Sequence, residues 1–134
     1  MKICLNFNLV EGPFGGAMQF GTFLSEKLVK KGYKVVNNLK DDDIDVILHV
    51  SPFKCLGMQS SSFSFFDAYS YKLAHPNTII ILRVNECDER KDTNYMNNLL
   101  NKISVYSDFV IFISDWLENL FNSKFCLMKK RISV

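Results

Sequence analysis

The segment Thr78–Val84, TIIILRV, is an almost unbroken apolar run, set between His75-Pro76-Asn77 and the polar Asn85-Glu86. Its length and β-branched content predict a strand, and a strand without polar alternation belongs in a sheet covered on both faces. Asp45–Val50 and Asp108–Ile113 (DFVIFI) have the same character. Lys2–Leu9 alternates instead, with Ile3, Leu5, Phe7 and Leu9 set against Cys4, Asn6 and Asn8, and Tyr33–Val36 is a short further strand.

Helical patterns lie between these strands. Ala17–Lys31 repeats Phe20, Leu24 and Leu28 on one face, and Gly32 follows where a helix-terminating glycine belongs. Asp67–Ala74 predicts a short helix closed by His75-Pro76. Thr93–Tyr106 predicts a longer one, with Met96, Leu99, Leu100 and Ile103 on one face. Ser114-Asp115 caps a last helix, Trp116–Phe121. Residues 51–66, rich in Ser and Phe, lack periodicity and predict a long loop. Phe63, Phe65 and Phe66 are expected to plug the core beneath it, the alternative being an exposed aromatic ridge.

Strand and helix alternation predicts an α/β fold: a doubly wound parallel sheet of about five strands with helices on both faces. The 134 residues suit one domain, 1–134, and 48% hydrophobic with 22% charged residues is globular composition. The expected strand order is 3-2-1-4-5, which makes strands 1 and 4 neighbours at the topological switch point. The loops after those strands, Gly12–Gly16 and Asn85–Lys91, would then share one crevice.

Composition closes several routes. A net charge of +2 is too small to imply nucleic acid as a partner. Lys124, Lys129, Lys130 and Arg131 form an acid-free tail, read as a solvated end with peripheral contact to an anionic membrane as the alternative. No apolar run approaches the ~20 residues of a transmembrane helix. Residues 1–10 lack a cleavage site and read as a strand instead of a signal peptide. Cys4, Cys55, Cys87 and Cys126 are widely spaced, and His49 and His75 stand alone. That pattern predicts no metal and no cofactor, with reduced, mostly buried thiols in a cytoplasmic protein. Ser51 and Ser114 follow strands without a GxSxG elbow. The Asp41–Asp43 run precedes a strand instead of following one, which is the wrong place for a receiver-type site.

The two loops carry the chemistry. Gly15 and Gly16 precede a helix, so their amides can meet a phosphate or carboxylate; the alternative is a tight turn that needs positive φ. The loop matches neither GxGxxG nor the P-loop, since no lysine follows Gly21. After Thr78–Val84, Arg83 and Asn85 would be half-sheltered, and Asn85 can donate to and accept from sugar hydroxyls. Glu86 and Asp88 offer a base or an orienting carboxylate, Asp88 being the catalytic candidate. Arg90 and Lys91 can receive a phosphate, against the alternative of a solvated loop of internal ion pairs.

GPFGGAMQF after the first strand, LRVNECDERKDTNYMNNLL after the fourth and SDFVIFISDWLENLF around the fifth resemble the N-terminal domain of GT-B glycosyltransferases, in particular the large retaining family 4. The resemblance runs over essentially the whole chain. It implies a Rossmann-like domain, half of a GT-B fold, that faces the acceptor. By resemblance Gly15 and Gly16 match the glycine loop near the donor phosphates, and Arg83, Asn85 and Asp88 match the cleft lining. It implies transfer of a sugar from a nucleotide-diphosphate sugar, a substrate and not a cofactor, to the hydroxyl of a glycan or small-molecule acceptor. No Glu-containing donor motif can be placed within 1–134, so the chain is expected to be an N-terminal domain or truncated product that needs a donor-binding domain, a separate C-terminal polypeptide being one source of it. The alternative is a non-catalytic subunit that binds sugar or docks such a half.

Overall fold

The computed structural model describes residues 1–8, 16–50, 61–125 and 131–132. Strands β1 (Lys2–Leu5), β2 (Lys34–Val36), β3 (Val46–His49), β4 (Ile79–Val84), β5 (Phe109–Phe112) and a two-residue β6 (Arg131–Ile132) form one sheet in the order β2-β1-β3-β4-β5-β6. The β1–β2, β1–β3, β4–β5 and β5–β6 pairings are parallel. Helices α1 (Gly16–Lys30), α2 (Phe65–Ala74), α3 (Asp88–Lys91), α4 (Met96–Ser104) and α5 (Asp115–Lys124) alternate with the strands. The architecture is α/β and Rossmann-like, as the apolar strands predict.

The strand order corrects the expected 3-2-1-4-5. β3, expected at the edge, lies between β1 and β4, the expected neighbours. The cause is visible in burial. Ile47 and His49, on one face of β3, are fully buried, and Val46 and Leu48, on the other, pack partly buried against the α1 core; a strand covered on both faces takes an interior place. β2 has an exposed Lys34 and only half-buried valines, which suits an edge. The order 2-1-3-4-5 puts the switch point between β1 and β3, because the chain leaves β1 in opposite directions on its two sides. β1 and β4 are therefore not neighbours, and the predicted crevice between the Gly12–Gly16 and Asn85–Lys91 loops loses its basis. The segments that follow β1 and β3 at the switch point, 9–15 and 51–60, lie outside the described residues, and with them Gly15.

The chain comprises two compact units, Met1–Ile80 and Ile81–Val134. In the first, Ile3, Leu5, Phe7 and Val50 pack with Met18 and with Phe20, Leu24 and Leu28 of α1. The predicted helical face is thus the buried one. α1 ends as expected: Gly32 has φ +84°, Tyr33 N donates to Leu28 O and Gly32 N to Val29 O, which is a Schellman closure. On the other face of the sheet, His49 meets Phe63 and Phe65 at ring-centroid distances of 5.9 and 5.3 Å. Phe63 and Phe65 plug the core as expected, but Phe66 is 67% exposed. α2 starts two residues before the expected Asp67, inside the segment read as loop, because Ser64 and Asp67 form a reciprocal capping box.

In the second unit β4 and β5 pair with Val84 opposite Phe112. α4 buries Met96, Leu100 and Ile103, and α5 buries Leu117 and Phe121, whose ring lies 5.6 Å from that of Phe112. α5 runs on to Lys124, so this lysine belongs to a helix and not to the tail. No helix among the described residues is long and apolar enough to cross a membrane.

Candidate functional site

The switch-point edge of the first unit holds a buried polar pair. β1 and β3 pair Leu5 with Leu48, so Asn6 and His49 come next to each other one step on. Both are fully buried. Asn6 Oδ1 accepts from Val50 N at 2.6 Å, and Asn6 Nδ2 stands 3.2 Å from the His49 ring nitrogens and donates to Phe63 O at 3.4 Å. One amide therefore ties β1 to the end of β3 and to the segment entering α2. Sequence reasoning treated Asn6 as the polar side of an alternation and His49 as isolated. The signal available was a polar residue at the same register position of two adjacent, otherwise apolar strands.

Gly16 is the first residue of α1. Its φ is not positive, and a methyl group in place of its hydrogen would meet no heavy atom within 4 Å. Its backbone conformation does not demand glycine, and no described residue packs against it, so the positive-φ turn does not apply to Gly16.

In the second unit, β4 carries Arg83, Asn85 and Glu86 to its carboxyl end, as expected. Burial lowers the Arg83 pKa and the Glu86 carboxylate opposes this, so Arg83 and Glu86 act on each other. Glu86 Oε1 lies 3.6 Å from Lys91 Nζ, while Oε2 is shielded and meets no hydrogen-bond donor among the described residues. Arg90 Nη1 donates to Asn85 O at 3.1 Å. Both phosphate candidates, Arg90 and Lys91, thus have partners within the loop, which fits the reading of internal ion pairs.

Asp88 has a different setting from the one a free base needs. Its Oδ1 accepts from Thr93 Oγ1 at 2.6 Å and from Met96 N at 2.8 Å, and its Oδ2 from Asn97 N at 3.2 Å. The amides are those of the first turn of α4, so Asp88 caps that helix from eight residues upstream. Desolvation pushes its pKa up, but the Thr93 hydroxyl and the Asn97 and Met96 amides outweigh that and hold it below the usual value. A carboxylate stabilised in its charged form is a weak proton acceptor at neutral pH. The reversal that makes this possible is Asp92, in the left-handed region at φ 51°.

Glu89 links three helices. It pairs with Lys124 of α5 and accepts from Asn97 Nδ2 of α4 at 3.0 Å. The Lys124 ammonium foremost, then Asn97, lowers its pKa from 4.5 to about 2. A lowered carboxylate pKa gives stability that is complete above the unfolded value and disappears as pH falls through the folded one. The Glu89 contribution is therefore expected to vanish between pH 4.5 and about 2. Carboxyl-carbon NMR should place the Glu89 midpoint well below 4.5; a midpoint at the unfolded value would refute the link.

Burial, with a smaller push from Asp41, raises the Cys4 thiol to about 12, and burial raises Cys87 as well. Both are buried and unreactive, as expected; Cys55 and Cys126 lie outside the described residues. No group of three or more His, Cys, Asp or Glu side chains suited to a metal ion occurs among the described residues. Compared with protein-family models, curated proteins and solved structures, the chain matches none.

Proposed function

We propose that the chain is the acceptor-side, Rossmann-like half of a glycosyltransferase, moving a sugar from a nucleotide-diphosphate donor to a hydroxyl acceptor. On this reading a donor-binding half completes the site and the protein works in the cytoplasm. The observation that carries it is Gly16. It opens a 15-residue helix after a glycine-rich segment, at the carboxyl end of β1, where parallel sheets bind ligands. With no positive φ and no described residue against its Cα, close approach of a diphosphate to the first amides of α1 accounts for the glycine. Gly15 would share this role.

The Asp88 geometry favours a second reading, a non-catalytic subunit that binds sugar or nucleotide and docks the donor-binding half. Its carboxylate is committed to α4 and its pKa is lowered.

Titrating the folded chain with UDP and UDP-glucose, followed by amide NMR, tests the common part. Gly16→Ala should leave stability within about 0.5 kcal/mol, since the added methyl meets no atom of the described residues, while weakening nucleotide binding about tenfold. A folded wild-type chain that binds neither ligand would rule out the transferase reading.

A further inference from the structure

The second unit exposes an aromatic residue at the carboxyl edge of its strands. Trp116, the only tryptophan of the chain, is 53% exposed on the first turn of α5, and Ile113, just before the Ser114 cap, is 44% exposed. α5 turns Leu117 and Phe121 inward, so Trp116 lies off its packed face. Ile113 N donates to Val84 O, which sets the end of β5 beside the end of β4 and its half-buried Asn85. Indole, isoleucine, amide and carboxylate (Asp115) thus share the carboxyl edge of two paired strands.

Size and charge decide what fits. Half an exposed indole offers roughly 100 Å² of apolar surface, well short of the few hundred that mark a protein interface. It matches one face of a single ring. The first turn of α5 carries Asp115 and Glu118, which repel a phosphate or an anionic lipid. Arg90 and Lys91 at the same edge are engaged with Asn85 and Glu86. A neutral polyhydroxylated ring satisfies both conditions: its C–H face covers the indole, and its hydroxyls meet carboxylate and amide groups.

We propose that Trp116, with Ile113, Asn85 and Asp115, forms a saccharide-binding platform for a neutral pyranose. This deepens the glycosyltransferase reading by naming the acceptor class, and it rests on that reading only for the acceptor role.

The lone indole is its own reporter. Titrating the full chain with maltotriose, cellotriose and chitotriose should give a saturable change in Trp116 fluorescence with at least one of them, and UDP should give none. By saturation-transfer NMR, Trp116→Ala should bind that trisaccharide about tenfold more weakly, with Trp116→Phe between the two. Circular dichroism checks that each variant is folded. No fluorescence response to any trisaccharide overturns the platform, as does unchanged affinity in Trp116→Ala. A response to UDP overturns the neutral-ligand assignment. If UDP fails to bind while the trisaccharide response persists, the transferase reading falls and the platform stands.

Discussion

Replacing Asn6 with alanine is expected to destabilise the protein by about 2–4 kcal/mol, since two buried backbone groups lose their partner at once. Val50 N–H loses its 2.6 Å acceptor and Phe63 C=O its amide donor, in a position with no solvent to replace either. Each buried group left unsatisfied costs about 1–3 kcal/mol, and the His49 ring loses a neighbour as well. Against a total stability of about 5–15 kcal/mol this is a large fraction. Denaturant unfolding of the two proteins measures it directly, and the midpoint should move with the slope unchanged. A loss below about 0.5 kcal/mol, the size of an ordinary surface change, would mean that the pair is not a structural tie. Asn6→Asp separates shape from hydrogen bonding. It keeps the acceptor for Val50 but loses the amide donor and buries a charge, so it should cost at least as much as alanine.

The sequence shows the fold class clearly and the strand order poorly, for identifiable reasons. TIIILRV and DFVIFI announce themselves because continuous apolar runs have few other uses, and Gly32 because a helix that ends in the left-handed region needs such a residue. The position of β3 was in principle readable. Asp45–Val50 reads as buried on both faces, which conflicts with the edge place that the order 3-2-1-4-5 assigns it, and the structure resolves the conflict in favour of burial. The α2 start was hidden because its signal is two polar residues, Ser64 and Asp67, among phenylalanines with no helical period. The site was legible in part. Arg83, Asn85 and Glu86 stand at the end of β4 as expected, since a strand end follows from the strand. The tie between Asn6 and His49 was not legible, as its members are 43 residues apart and pair only through the register. Asp88 looks like a loop carboxylate until Asp92 turns the chain back and brings the α4 amides to it.

Gly21→Ala should lower stability in the wild-type background and raise it once Phe7 is shortened. Alanine in the middle of a helix is worth about 0.5–1 kcal/mol over glycine, so on an open face the change would stabilise. Gly21 has no open face: a methyl group there would stand 2.8 Å from the Phe7 ring, and Phe7 is itself 5% exposed within the α1 core. The ring has packed neighbours to displace, so overpacking costs about 1–3 kcal/mol and outweighs the helix gain. Valine adds bulk and β-branching and should cost more, about 3 kcal/mol. In a Phe7→Leu background the obstructing ring atoms are gone. The cost of that substitution comes from lost burial, and adding Gly21→Ala should then recover about 0.5–1 kcal/mol. A double-mutant cycle of unfolding free energies reads the coupling as the change of sign, expected at about 1–3 kcal/mol for two groups in contact. Additive effects, or a wild-type background in which Gly21→Ala raises the midpoint, would show that α1 and the Phe7 ring do not approach this closely. The Gly16→Ala comparison then separates the two glycines on physical grounds: a methyl at Gly21 meets the Phe7 ring, whereas one at Gly16 meets no atom of the described residues and should leave stability within about 0.5 kcal/mol.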